Sequence, residues 1–158
     1  MAKKKSKKQQ GKPGRNYLVQ NKRARYEFEI LERLEAGLVL VGTEVKSLRA
    51  RNASLQESYV RITGEEAFWI KGSILEYEFG NVMNHRPDRP RKLLLRKAQI
   101  RKLGEKVQQK SLTLVPLSIY IGDRGLMKME IALCRGKKTY DKRAAERKKT
   151  ERREIGEA

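Results

Sequence analysis

Cysteine is almost absent. Cys134 is the sole one in 158 residues, so no intramolecular disulfide forms. That excludes a secreted disulfide scaffold and any zinc site built on several cysteines, and a reducing compartment is the natural setting. Histidine is as scarce. His85 stands alone in a proline-rich loop beside Arg86 and reads as a loop or surface residue, because metal sites and general-base dyads draw on more. Cys134 ends an apolar run and reads as core. Apolar runs long enough to cross a bilayer, roughly 18–20 residues, are missing. So is an apolar stretch behind the cationic start, which a signal peptide needs. No segment of 20–50 residues repeats, so a solenoid is excluded. Acid is in short supply: 19 Asp+Glu stand against 38 Lys+Arg, a formal charge of +19. A two-metal nuclease needs several clustered acids. Glu35 and Glu44 flank a strand while Asp123, Glu130 and Asp141 lie far along the chain, which disfavours an enzyme.

What is present is cation. A chain this basic repels itself until something anionic takes up the charge; nucleic acid is the first expectation and an anionic membrane surface the second. Residues 1–25 carry ten Lys/Arg and no acid, and residues 136–158 carry nine Lys/Arg and five acids. The 110 residues between them hold a net of only +5. The composition therefore predicts one ordinary domain with two cationic arms. Residues 1–20 have little to bury and are expected to be a disordered arm, with the domain over 21–135 and a basic tail over 136–158.

Between the arms, period-2 alternation predicts strands. Tyr26, Phe28 and Ile30 alternate with Glu27, Glu29 and Leu31. Glu35-Ala36-Gly37 then reads as a turn into a second strand over Leu38–Val41. Thr43 can cap a short helix whose Val45 and Leu48 face inward while Lys46, Arg49 and Arg51 face out. Tyr59–Ile62 and Ala67–Lys71 read as a pair of strands, and Ser73–Phe79 as a weaker strand. Residues 80–90 read as a loop. A basic helix is expected from about Arg91, with Leu93, Ile100, Leu103 and Val107 on one face. Glu105 is its sole acid, which favours a phosphate-facing surface over a solvated one. Leu112–Ile121 reads as a strand with Pro116 marking an edge or bulge. Gly122-Asp123-Arg124-Gly125 is a loop of hairpin length before a strand over Leu126–Cys134, with Met127, Met129, Ile131 and Leu133 on one face and Lys128, Glu130 and Ala132 on the other. The fold class is mainly β with short helices, as a small antiparallel barrel that hides its edges. An open α+β sandwich is the alternative.

Standard signatures fail. Gly136-Lys137-Lys138 resembles the end of a phosphate loop, but Ile131 occupies the place of its first glycine. The octamer of an RNA-recognition motif is missing, and Gly11-Lys12-Pro13-Gly14 matches a GXXG clamp by letters alone. Residues 144–155 are good helix formers with supporting pairs such as Arg147 and Glu151, yet they lack an apolar stripe. A tail that becomes helical on an anionic partner and a solubilising tail fit them equally.

Three blocks in order carry a family resemblance: the EAG and GTEVKSLR segments within residues 21–62, RKLLL within 89–103, and RGKKTYDKR at 135–143. From about Asn21 to Arg153 the chain resembles the SsrA-binding protein family, also called small protein B. The resemblance implies an oligonucleotide-binding (OB) fold barrel and a non-enzymatic partner of transfer-messenger RNA that delivers it to stalled ribosomes. It implies RNA contact through Asn21, Lys22, Arg23, Glu35, Lys46, Arg49, Leu94 and Lys128. Lys and Arg neutralise phosphates, while Glu35 or Asn21 can read base or ribose edges. It implies a tail whose Gly136, Lys137, Lys138, Tyr140, Asp141, Lys142, Arg143, Lys148 and Lys149 face the ribosome's small subunit, probing the decoding site and the empty message channel. Elongation factor Tu is implied as an indirect partner through the aminoacylated RNA. A cytoplasmic setting is implied too, with no membrane, no cofactor, no metal and no catalytic residue. The chain departs from the family pattern at Tyr140, where His is common, and at Arg96, where a smaller His or Asn is common. A general basic RNA-binding protein with neutralising arms is the alternative, and an RNA-processing enzyme using Glu35 or Glu44 the third reading.

Overall fold

In a computed structural model of the chain, residues 15–136 are described. The strands are β1 (Asn16–Gln20), β2 (Phe28–Leu38), β3 (Ala53–Ser54), β4 (Tyr59–Thr63), β5 (Glu66–Ile70), β6 (Ser73–Ile74), β7 (Arg91–Leu94), β8 (Thr113–Ile121) and β9 (Met127–Gly136). Three helices join them: α1 (Ala24–Glu27), α2 (Gly42–Arg49) and α3 (Lys97–Lys110). Every pairing is antiparallel, and β3 with β6 forms a separate ribbon. In the main sheet β4, β5, β7, β2, β9 and β8 follow one another, and β8 returns to β4 through Val60 and Leu114. The mainly β ring that the sequence predicts is therefore closed, with β1 added along the free half of β8. Closure leaves the six strands of the ring paired on both sides, while β1 keeps one side unpaired among the described residues.

The core follows from alternation. Along β9, Met127, Met129, Ile131 and Leu133 point into the ring, as the sequence predicts. They meet Ala36, Leu38, Trp69, Leu93, Leu114 and Ile119 from the other strands. Ala132 and Cys134, on the opposite face of β9, are covered by Ala24 of α1 and by Val115. Leu48 from α2 and Leu103 from α3 enter the main core. The Pro116 bulge is observed as a register shift between Pro116 and Ser118, where the missing N–H interrupts the ladder.

Several expectations change. Asn16–Gln20, expected within the N-terminal arm, pairs with β8 and buries Leu18; residues 1–14 lie outside the described residues. Tyr26 lies in α1 rather than a strand. Glu35-Ala36-Gly37 is no turn: β2 runs through it for 11 residues, its ladder with β9 unbroken from Glu32 to Gly37. Cross-strand pairing overrides local turn propensity there. The weak strand over 73–79 shrinks to Ser73–Ile74. The basic helix starts at Lys97, not Arg91, since Arg91–Leu94 is a strand between β5 and β2. Leu93 thus reaches the core from a strand. Its seven-residue spacing to Ile100 mimicked a helical period.

Helix α2 begins at Gly42, with Val41 as its cap and the Glu44 carboxylate accepting from the Val41 N–H at 3.0 Å. Thr43 does not cap it. Its hydroxyl shares a 2.8 Å hydrogen bond with His85 Nδ1. His85 is buried rather than on the surface. Its Nε2 lies 2.8 Å from the Ile74 carbonyl, which can only accept, so the proton sits on Nε2. Gly72 is needed for a similar local reason: a Cβ there would lie 1.9 Å from the Trp69 ring.

Candidate nucleic-acid interface

The register of the sheet brings together residues that are far apart in sequence. Tyr17 pairs with Tyr120, Tyr120 with Lys128, Lys128 with Gly37, and Gly37 with Leu94. These five form one row across β1, β8, β9, β2 and β7. Because side chains alternate and Met129, Ala36 and Leu93 point inward, the row lies on the outer face of the ring. The next row holds Ser118, Glu130 and Glu35. Three expected contact residues, Glu35, Leu94 and Lys128, thus share one outer face. Leu94 is 56% exposed. Gly37 permits this arrangement, since a Cβ there would come within 3.1 Å of Leu94 Cβ.

Glu35 and Glu130 face each other across β2 and β9, and like charges opposed in this way destabilise a sheet. Arg15 resolves the conflict by reaching Glu130 at 3.2 Å and Glu35 at 3.3 Å. Arg33 adds a contact to Glu130 at 3.6 Å. The Arg15 guanidinium also lies 4.1 Å over the Tyr120 ring. The Tyr120 hydroxyl donates to Glu35. Burial, and then this bond to Glu35, push the Tyr120 pKa well above the usual phenol range. Glu35 therefore presents a fixed, half-exposed carboxylate, an acceptor aimed out of the sheet. Ser118 Oγ in the same row has no hydrogen-bond partner among the described residues.

The other expected residues lie elsewhere. Asn21 is a latch: its N–H donates to the Leu117 carbonyl at 2.7 Å and its Nδ2 to the Pro116 carbonyl at 3.0 Å. Lys22 and Arg23 follow it, exposed, into α1. Asn21 and Arg23 line a hollow of about 280 Å³ with Phe28, Glu57, Ser58 and Tyr59. Lys46 and Arg49 are exposed on α2 as expected. Gly136 ends β9. Lys137, Lys138, Tyr140, Asp141, Lys142, Arg143, Lys148 and Lys149 lie outside the described residues.

The sequence reading missed Arg15, Tyr17, Tyr120 and Glu130. The one available signal was an isolated aromatic, Tyr120, in an otherwise aliphatic strand. It also read α3 as lacking counter-charge. The acids come instead from neighbouring strands and turns: Glu65 meets Lys97 at 3.7 Å and Arg101 at 2.9 Å, and Glu32 meets Lys106 at 2.9 Å. Arg96, the other departure, is exposed, and its backbone N–H donates to the Gln99 side chain at 3.1 Å.

Parts of the motif blocks are architectural. Glu44 of GTEVKSLR and Arg91 of RKLLL are both fully buried and pair at 2.5 Å. Arg89 binds the same carboxylate. Arg91 also donates to the carbonyls of Gly72 at 3.1 Å and Pro87 at 2.8 Å, and lies over the Trp69 ring. Burial alone would raise the Glu44 pKa; the bonds from Arg89, the Val41 N–H and Arg91 outweigh it and hold the carboxyl below its usual range.

Among the described residues no group of three or more His, Cys, Asp or Glu is placed to hold a metal ion, and no helix is long and apolar enough to cross a membrane.

The family model of the SmpB protein matches residues 18–158. The chain belongs to the SmpB family. Its SmpB relatives include the SsrA-binding protein of Brucella canis (strain ATCC 23365 / NCTC 10854 / RM-666), 49% identical over 142 residues, which is 90% of either chain. That of Brucella ovis (strain ATCC 25840 / 63/290 / NCTC 10512) matches to the same extent. A solved SmpB structure, described as "tmRNA-SmpB: a journey to the center of the bacterial ribosome", superposes with a TM-score of 0.65 at 49% identity. It covers 77% of this chain and 85% of that one. The SmpB match includes all three blocks that carry the sequence resemblance.

Proposed function

We propose that this chain binds the tRNA-like domain of transfer-messenger RNA and delivers it to stalled ribosomes for trans-translation. Membership of the SmpB family and the transfer-messenger RNA–ribosome setting of the superposed structure support the reading. The observation that carries it on this molecule is the outer face where Glu35, Lys128 and Leu94 meet. A cation there neutralises phosphate, a fixed carboxylate accepts from base or ribose donors, and an exposed apolar side chain packs on a base or sugar. Lys22, Arg23, Lys46 and Arg49 supply further phosphate contacts around the ring. The chain acts by binding, without turnover of RNA, in the cytoplasm. The basic tail from Gly136 through Lys149 enters the vacant message channel of the small subunit and reports on the decoding site. Elongation factor Tu is engaged indirectly, through the aminoacylated RNA.

Titration of the full chain against a tRNA-like fragment tests the RNA half. Lys128→Ala should weaken binding about tenfold and lower the salt dependence by about one phosphate contact. Glu35→Ala should reduce the preference for that fragment over a plain duplex of equal length. Equal affinity of the wild type for both RNAs would overturn the reading.

A further inference from the structure

The longest run without Lys or Arg in this cationic chain lies largely on the surface. Gly72 to His85 spans 14 residues without one, between Lys71 and Arg86. Two acids fall within it, Glu76 and Glu78. Both are exposed, and neither joins an ion pair among the described residues.

The loop is rigidly built. The Asn84 side chain bridges its two ends: Oδ1 accepts from the Tyr77 N–H at 2.9 Å and Nδ2 donates to the Tyr77 carbonyl at 2.6 Å. The Gly80 N–H donates to the same carbonyl at 3.0 Å, and the Met83 N–H to that of Gly80 at 3.1 Å. Behind it the Ser47 hydroxyl holds the Leu75 carbonyl at 2.6 Å, and buried His85 holds that of Ile74. Tyr77 packs edge-on against Phe79 at 5.6 Å, with the Lys46 ammonium 5.3 Å over its ring. On this frame Phe79 is 72% exposed, Val82 96% and Met83 82%. Large apolar side chains held in water on a preorganised frame mark an interaction site.

We propose that the Phe79–Met83 loop is a protein-docking site that takes a basic protein surface carrying an apolar pocket. It rests on the ribosome reading above, because the occupant is met on the ribosome-bound assembly. Charge decides the class of partner. A base stacked on Phe79 would bring phosphates beside Glu76 and Glu78; the segment holds no cation of its own, and Lys46, which reaches it, is seated over the Tyr77 ring rather than beside Phe79. A basic protein surface is complementary to those two carboxylates.

Two measurements on the full chain test it, using purified ribosomes stalled on a message without a stop codon. In the first, a photo-crosslinking residue at position 82 is expected to give an adduct that survives ribonuclease and is lost to protease. A ribonuclease-sensitive adduct, one with a second copy of this chain, or none at all would overturn the proposal. In the second, the double reversal E76K/E78K and the triple change F79S/V82S/M83S should each weaken ribosome binding about tenfold. The melting temperature should stay at the wild-type value for both variants, since all five side chains are exposed, and the triple change, which alters no charge, should leave affinity for the tRNA-like fragment at the wild-type value. An RNA site would instead bind more tightly after the charge reversal, and that outcome, or no change, sinks the proposal alone. A wild-type chain that failed to bind ribosomes would sink the proposed function with it.

Discussion

Glu44 and Arg91 show how a conspicuous motif can hide its structural members among its surface ones. Both are fully buried, and their pairing joins α2 to the start of β7. Removing one member of a buried pair leaves an uncompensated charge. Arg91→Leu should therefore cost about 3–5 kcal/mol in urea unfolding, without a separate effect on RNA contact. The Glu44 pKa is lower in the folded chain than in the unfolded one. Its contribution is thus fully present above the ordinary carboxylate range, near pH 4–5, and is lost as pH falls through the folded-state value. Acid unfolding of Glu44→Gln, followed by circular dichroism, should be shallower than that of the wild type. Cys134 offers a second check at this scale. Burial pushes its thiol up to about 11, and the residue is completely covered. A thiol reagent at neutral pH should react with the native chain only as fast as the chain opens; rapid labelling would contradict the packing of α1 over β9.

At the scale of elements, the β1–α1 junction separates two readings of one residue. The resemblance assigns Asn21 to RNA, while its side chain bonds to the Pro116 carbonyl at the bulge of β8. Asn21→Ala should lower stability by about 0.5–1.5 kcal/mol, and any loss of RNA affinity should follow from loosening of Lys22 and Arg23. Comparing the thermal shift with the affinity change at low temperature checks this. The same scale shows what the sequence made legible. The β4–β5 hairpin was readable because Gly64, with φ +62, serves a two-residue turn between alternating strands. The inward face of β9 and the bulge at Pro116 were readable for similarly local reasons. The continuity of β2 through Glu35-Ala36-Gly37 was not, because it depends on the partners β9 and β7, which come later in the chain. The RKLLL strand was misread as helix for the same cause. Of the outer face, Glu35 and Leu94 stand in the family motifs and can be named from sequence. Arg15, Tyr17, Tyr120 and Glu130 cannot, because only the register places them beside Glu35.

For the whole molecule, the ring and the segment after Gly136 divide the work under the proposed function. A chain ending at Gly136 keeps every strand of the ring, including the last pairing of β9 with Phe28. It should melt within a few degrees of the full chain and bind the tRNA-like fragment with similar affinity. Tagging of stalled products in a reconstituted translation system should be lost. Loss of RNA binding and tagging together would contradict the separation, and so would full tagging by the shortened chain.

The pairing scheme also fixes where the two extensions leave the ring. Asn16 lies level with Ile121 and hence with Met127, at the beginning of β9, whereas Gly136 closes the far end of that strand. Nine strand rises separate those rims, about 30 Å. Under the proposed function, the described ring would act as a spacer, fixing how far apart the chain enters it before Asn16 and leaves it after Gly136.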